Sequence, residues 1–175
     1  MFSVSLADLL EYTEWERREW CDWLRHHGAQ VLEISAGPHR DGRFQTAGEM
    51  VRHIFSAEKR YVDRLSGRPL TDTASIPTDS IETLFKFGQQ SRKDLKELVE
   101  TFPAQERDAP KELKFPNPVG TATPRKTVIH ILLHEIRHWA QIATLFRLNG
   151  LTGEFHDFLF SPIMGGGFKH EQSKA

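Results

Sequence analysis

The sequence predicts an all-α fold: a four-helix bundle with a long connection before its last helix. Three observations point to it. Four stretches of about 20 residues carry apolar side chains at spacings of three and four. Each is bounded by a capping residue, a glycine or a proline. No stretch alternates apolar and polar residues convincingly enough to be a strand.

The first helix is expected from about Ser5 to His27, with Leu6, Leu9, Leu10, Trp20, Trp23 and Leu24 as its apolar side and Gly28 as its stop. Its charged residues, Glu14, Glu16, Arg17, Arg18 and Glu19, are expected on the remaining, outer surface. Cys21, the single cysteine, lies between Trp20 and Trp23 and reads as a buried, inert thiol; alone, it excludes an intrachain disulfide. Residues 35–42 read as a loop.

The second helix opens on Thr46-Ala47-Gly48-Glu49, a capping box in which hydroxyl and carboxylate each serve an orphan backbone N–H. It runs to Leu65 along a stripe of Met50, Val51, Ile54, Phe55, Tyr61, Val62 and Leu65, with His53 on the flank. The third begins near Asp79 or Ser80 and ends at Phe102, before Pro103. Its seam is Ile81, Leu84, Gly88, Ser91, Leu95, Leu98 and Phe102. Gly88 costs about 1 kcal/mol relative to alanine inside a helix. With Ser91 it leaves the seam short of volume, which fits a close helix crossing or a cavity.

Residues 103–123 hold four prolines and form the long connection, of a length that is often functional or mobile. Thr123 and Pro124 then supply the N-cap and first turn of the fourth helix, which ends at Asn149-Gly150. A short helix is expected around Glu154 to Phe160. The whole chain, 1–175, reads as one domain with its core at about 5–160 and a loose tail from 161 to 175.

With 23 Lys and Arg against 24 Asp and Glu, no basic face dominates, and nucleic-acid binding has no electrostatic support. No apolar run approaches the roughly 18 residues that cross a bilayer. The first residues lack a basic region and meet Glu11 too early for a signal peptide, so a cytoplasmic protein is expected.

The fourth helix carries the chemistry. His134-Glu135-Ile136-Arg137-His138 sets two imidazoles one turn apart, suited to hold one transition-metal ion. The expected inward seam is Ile131, His134, His138, Gln141, Leu145 and Leu148. A buried imidazole without a partner costs roughly 1–3 kcal/mol, and a shared cation accounts for two at once. His130 is one turn earlier, but three such residues drift by about 40° per turn. It is therefore expected to flank the site, and the third ligand to come from another helix. His53 is the candidate, as the one histidine of the second helix. His26 and His27 sit at a helix end; His39, His156 and His170 sit in loops or the tail.

Neutral imidazole is a good ligand for Zn, Ni, Fe or Cu, and imidazole ligands alone do not choose among divalent ions. The expected cofactor is a divalent transition metal, Zn or Ni, with Fe or Mn as alternatives. A zinc peptidase with Glu135 as base shares the H-E-x-x-H letters. However, Gln141 and Thr144 stand where a metzincin extension needs Gly and His, and Glu154 comes after the helix has ended. A ferritin-like di-iron site needs Glu-x-x-His twice, and Glu49 and His53 are four apart. A mononuclear site on His53, His134 and His138 uses what is present. Glu135 is expected either at the mouth as a base or as a solvated charge. Gln141, one turn past His138, is expected either to hydrogen-bond a ligand or to pack.

These residues resemble the DinB/YfiT-like superfamily, four-helix bundles with one metal-binding histidine in the second helix and a His-x-x-x-His pair in the last. His53, His134 and His138 match, as do Ile142-Ala143-Thr144-Leu145, Tyr12-Thr13-x-Trp15 and Asp157. Trp139-Ala140-Gln141 stands where Arg-Gly-Gln is usual. The resemblance spans about residues 5 to 160. It implies a metal-dependent enzyme acting on a small electrophile, by hydrolysis or by transfer of a low-molecular-weight thiol, and a homodimer. The alternative it leaves is a metal-stabilised, stress-related interaction module without catalysis.

Overall fold

A computed structural model describes residues 3–36, 44–114, 119–152 and 157–165. Four long helices dominate it: α1 (Leu6–His27), α2 (Ala47–Leu65), α3 (Ile81–Thr101) and α4 (Pro124–Leu148). The all-α four-helix bundle expected from the sequence is what the chain forms.

The caps explain the boundaries. Ser5 and Asp8 form a reciprocal capping box at α1, and Thr123 accepts from the Lys126 N–H at α4. At α2, Thr46 accepts from the Glu49 N–H at 3.3 Å, but the Glu49 carboxylate reaches one residue further back, to the Gln45 N–H at 2.5 Å. The expected reciprocal box is thus shifted by a residue. Past α4, Gly150 takes φ 77°, and the N–H groups of Gly150 and Leu151 return to the carbonyls of Arg147 and Phe146. Glycine is favoured there because a Cβ is disfavoured in the left-handed region.

Side-chain pairs give the helix directions. Arg17 meets Glu135, and the rings of Trp20 and Trp139 stack at 5.2 Å, so α1 and α4 run parallel. Phe55 lies on Gly88, and Lys59 binds Asp94, so α2 and α3 also run parallel. Residues 66–80 must therefore travel back along the bundle. Asp63 anchors this crossover, accepting from the Thr71 N–H and hydroxyl, while Arg52 donates to the carbonyls of Ala74 and Ile76.

The connection before α4 holds what the sequence did not suggest. Lys111–Lys114 (β1) and Val119–Ala122 (β2) pair antiparallel, Lys111 opposite Ala122 and Lys114 opposite Val119. At four residues each, the strands are too short to show a period-2 signal. After α4, Phe158–Phe160 is a single 3-10 turn capped by Asp157; residues 153–156 of the expected short helix lie outside the described residues. Ser161 and Ile163, in the stretch read as tail, are buried, and residues 166–175 lie outside the described residues.

Two apolar clusters fill the bundle. One gathers Trp20, Leu24, Phe55, Leu84, Trp139 and Phe146; the other gathers Val62, Leu95, Leu98, Val128 and Leu132. Between them lies a charged layer to which every helix contributes one residue: Arg17, Glu58, Arg92 and Glu135. Arg17 and Glu16, expected on the outer surface of α1, are both buried. Gly88 makes the close crossing that its position suggested. An added Cβ would sit 2.9 Å from three carbons of the Phe55 ring.

Candidate metal centre

The inner line of α4 is Val128, Ile131, Leu132, Glu135, Trp139, Ile142 and Phe146, rotated from the expected seam. Trp139 and Phe146 outweigh the histidines in hydrophobic area, so they take the centre. Leu148 is consequently 80 % exposed, and Gln141 is exposed as well. His134 and His138 move to the edge of the core, where α4 faces α2. His138 is buried, while His134 and His53 are half-buried.

There the three rings converge. His134 Nε2 lies 3.2 Å from His53 Nε2 and 3.1 Å from His138 Nε2. One nitrogen from each ring falls in a single group within 4.8 Å. A ring nitrogen carries either one N–H or one lone pair, so His134 Nε2 cannot form a single hydrogen bond to both neighbours at once. A cation at the common point serves all three. Nitrogens at about 2.0–2.1 Å from a tetrahedral zinc lie about 3.3 Å apart, close to the spacing found. The three histidines can hold a metal ion.

The electrostatics agree with that role. Burial, and then the nearby His138 and His53, push the His134 ring down from its usual value to about 3. It is therefore neutral at physiological pH, the form that offers a lone pair. The Phe44 ring closes one side, 4.8 Å from the His53 ring and 6.0 Å from that of His138. Sequence patterning offers no sign of Phe44, which precedes α2 outside any periodic segment.

His130 flanks the group as expected. It is exposed, its ring 5.6 Å from that of His134 and edge-on to Tyr61 at 5.4 Å. His27 stacks on Trp23, far from the centre in the fold. His39, His156 and His170 lie outside the described residues.

Glu135 takes neither place expected of it. It is 1 % exposed and faces the bundle interior rather than solvent. Its Oε1 accepts from Arg17 Nε at 2.5 Å and Trp139 Nε1 at 3.2 Å; its Oε2 accepts from Arg17 Nη2 at 2.8 Å and Arg92 Nη2 at 2.6 Å. Burial raises its pKa, but the two guanidiniums outweigh that and hold the carboxyl below its usual value. A carboxylate so engaged has no capacity to act as a peptidase base. The sequence misled here because H-E-x-x-H on a helix places the glutamate about 80° from the ligands, and that direction points into this core. Gln141 continues the His134 stripe one turn beyond the rings, exposed at the rim.

Among the described residues, no helix is long and apolar enough to cross a membrane. The family model described as the DinB family matches residues 1–167 of the chain. No curated protein matches it.

Proposed function

The chain belongs to the DinB family, and on that footing we propose that it is a metal-dependent enzyme. His53, His134 and His138 hold one divalent transition ion, Zn or Ni first and then Fe or Mn. The enzyme acts on a small electrophile, by hydrolysis or by transfer of a low-molecular-weight thiol. The observation that carries this reading is the convergence of three Nε2 atoms at a partly exposed edge of the bundle. Three protein ligands leave a tetrahedral ion one position for a reactant. The half-exposure of His53 and His134 favours a site that solvent can reach, whereas a sealed site would suit a module without catalysis.

An ion held there supplies a Lewis acid that acidifies a water or a thiol and polarises an electrophile. The chain does the rest. Helices α2 and α4 fix the three rings, and the charged layer behind them fixes α4 against its three neighbours. Phe44 keeps one side apolar and shields it from water. Gln141 stands at the rim, where its amide can hydrogen-bond a reactant. The exposed Leu133 and Leu148 give α4 apolar surface for a homodimer.

The test uses zinc- and nickel-loaded protein with 1-chloro-2,4-dinitrobenzene and a cysteine-based thiol, and separately with p-nitrophenyl acetate. Turnover that requires the ion and disappears in His53→Ala supports the proposal. Equal rates in the His53→Ala protein and in the wild type would contradict it.

A further inference from the structure

Charge is unevenly shared among the helices. Over the whole chain acids and bases nearly cancel, 24 against 23. Helix α1 carries Asp8, Glu11, Glu14, Glu16, Glu19 and Asp22. Helix α4 carries a single acid, Glu135, and it is spent on the charged layer. In α2, Glu58 and Asp63 are buried and held by Arg17 and Lys59, while Glu49 caps the Gln45 N–H. The outer face where α2 meets α4, around the three histidines, is left to cations.

Arg137 and Arg60 are the two that flank the centre. Arg137 follows His134 by three residues and is exposed. Burial and then Arg137 hold the His130 ring below its usual value, and Arg137 acts on the His134 ring as well, so its charge stands beside both. Arg60 is two turns past His53 on the same stripe of α2 and is half-buried. His53 meets His134 and Tyr61 meets His130, so α2 and α4 run antiparallel. Side chains on a helix lean towards its N-terminus. The two arginines therefore lean from opposite directions towards the turn of His134. Arg60 shows this lean, its Nε donating to the Ser56 carbonyl one turn back at 3.3 Å. Burial and then Arg64 lower Arg60 from its usual value, which marks a second cation beside it. Neither Arg60 nor Arg137 has a carboxylate partner among the described residues.

This distribution selects a reactant. Three neutral imidazoles leave a divalent ion with its full charge, and the fixed charge closest to His134 in sequence and space adds to it. No carboxylate is among the groups that act on His134, and none joins the converging group. A site of one sign draws in ligands of the other. Guanidinium groups match the paired oxygens of a carboxylate or phosphate. We propose that the reactant of the histidine centre is a small organic oxyanion, its acidic group held by Arg137 and Arg60 at the rim and its reacting atom turned to the histidines. The inference rests on the metal-dependent reading above and adds to it a substrate class and two specificity-determining residues.

The probe is 3,5-dinitrobenzoate, titrated by calorimetry into the zinc-loaded full-length protein, with 3,5-dinitrobenzamide as its uncharged counterpart. Zinc content is measured in every sample. The variants are Arg137→Gln, Arg60→Gln and the charge-keeping Arg137→Lys, each checked for its fold by thermal unfolding. The benzoate is expected to bind saturably, about tenfold more weakly to Arg137→Gln at unchanged zinc content, and more weakly as salt rises. Arg137→Lys should recover part of the loss, since it keeps the charge without the fork. The benzamide should bind all of these proteins weakly and alike. Amide shifts on titrating the ¹⁵N-labelled protein should centre on Arg60, His130 and Arg137. Four results, each with zinc in place, would overturn this inference and leave the metal centre standing: equal benzoate affinity in the wild type and both glutamine variants, benzamide binding as tight as that of the benzoate, shifts centred on Leu98 and Val128, or no saturable binding up to about 1 mM. A folded chain that takes up no zinc would contradict the metal-dependent reading and this inference with it.

Discussion

Arg17 and Glu135, 118 positions apart in the chain, meet in the middle of the bundle through two hydrogen bonds of 2.5 and 2.8 Å. This pair carries the parallel contact of α1 with α4. Glu58 and Arg92 complete the layer from the other two helices, with Arg92 Nε donating to Glu58 at 3.0 Å. Removing one member of a buried ion pair costs about 3–5 kcal/mol, because a charge is left without its counterion. Glu135→Gln should therefore lower unfolding free energy by about 3 kcal/mol in a denaturant titration. Its metal content should stay at the wild-type level. A peptidase base would show the reverse: a fold untouched and a reaction lost.

Glu16 introduces a different pH dependence. Burial, with Glu135 nearby, pushes its carboxyl up to about 9, and its Oε2 has no hydrogen-bond partner. A carboxyl raised on folding takes up a proton as the chain folds. Its contribution is intact below the unfolded value near 4.5 and is lost as pH rises towards 9, with a slope of up to about 1.4 kcal/mol per pH unit. Glu16→Gln keeps the neutral form at every pH. Denaturant titrations at pH 5, 7 and 9 should show wild-type stability falling along the series and the variant nearly flat.

Gly88→Ala gains about 1 kcal/mol of helix propensity, yet its Cβ would sit 2.9 Å from the Phe55 ring. Overpacking in a close crossing costs about 1–3 kcal/mol. The net expectation is a loss of about 1 kcal/mol, seen as a lower Tm. A more stable variant would show that the ring can move aside.

His130→Ala tests whether the centre takes three rings or four. His130 contributes no ring nitrogen to the converging group. Metal affinity should change by less than about threefold, whereas loss of a true ligand exceeds the 10- to 100-fold typical of outer-shell partners.

The helices were legible because their signals are local. Ser5, Thr46, Ser80 and Thr123 cap the ends, and Pro103 and Gly150 stop them within a residue or two of where the pattern fails. His53 was legible as the one histidine beside the α2 stripe. The charged layer was not, because a pair such as Arg17 and Glu135 leaves no trace in local sequence. One hint existed: Arg17 falls in step with Thr13, Trp20 and Leu24, all buried on the inner side of α1. Similarly, Arg92 sits between Ser91 and Leu95 on α3. The rotation of α4 is not legible because the His-x-x-x-His spacing suits an inward seam as well, while Trp139 and Phe146, with more apolar area, occupy the centre. The hairpin was hidden by the four-residue length of its strands and by the prolines between them.

Elemental analysis of the purified protein, followed by zinc titration of the chelator-stripped chain, addresses the three-histidine centre most directly. We expect one divalent transition ion per chain, and almost none in His53→Ala or His138→Ala variants that remain folded. A native preparation that carries no ion and binds none on titration, or a His53→Ala protein that retains its full complement, would contradict the account.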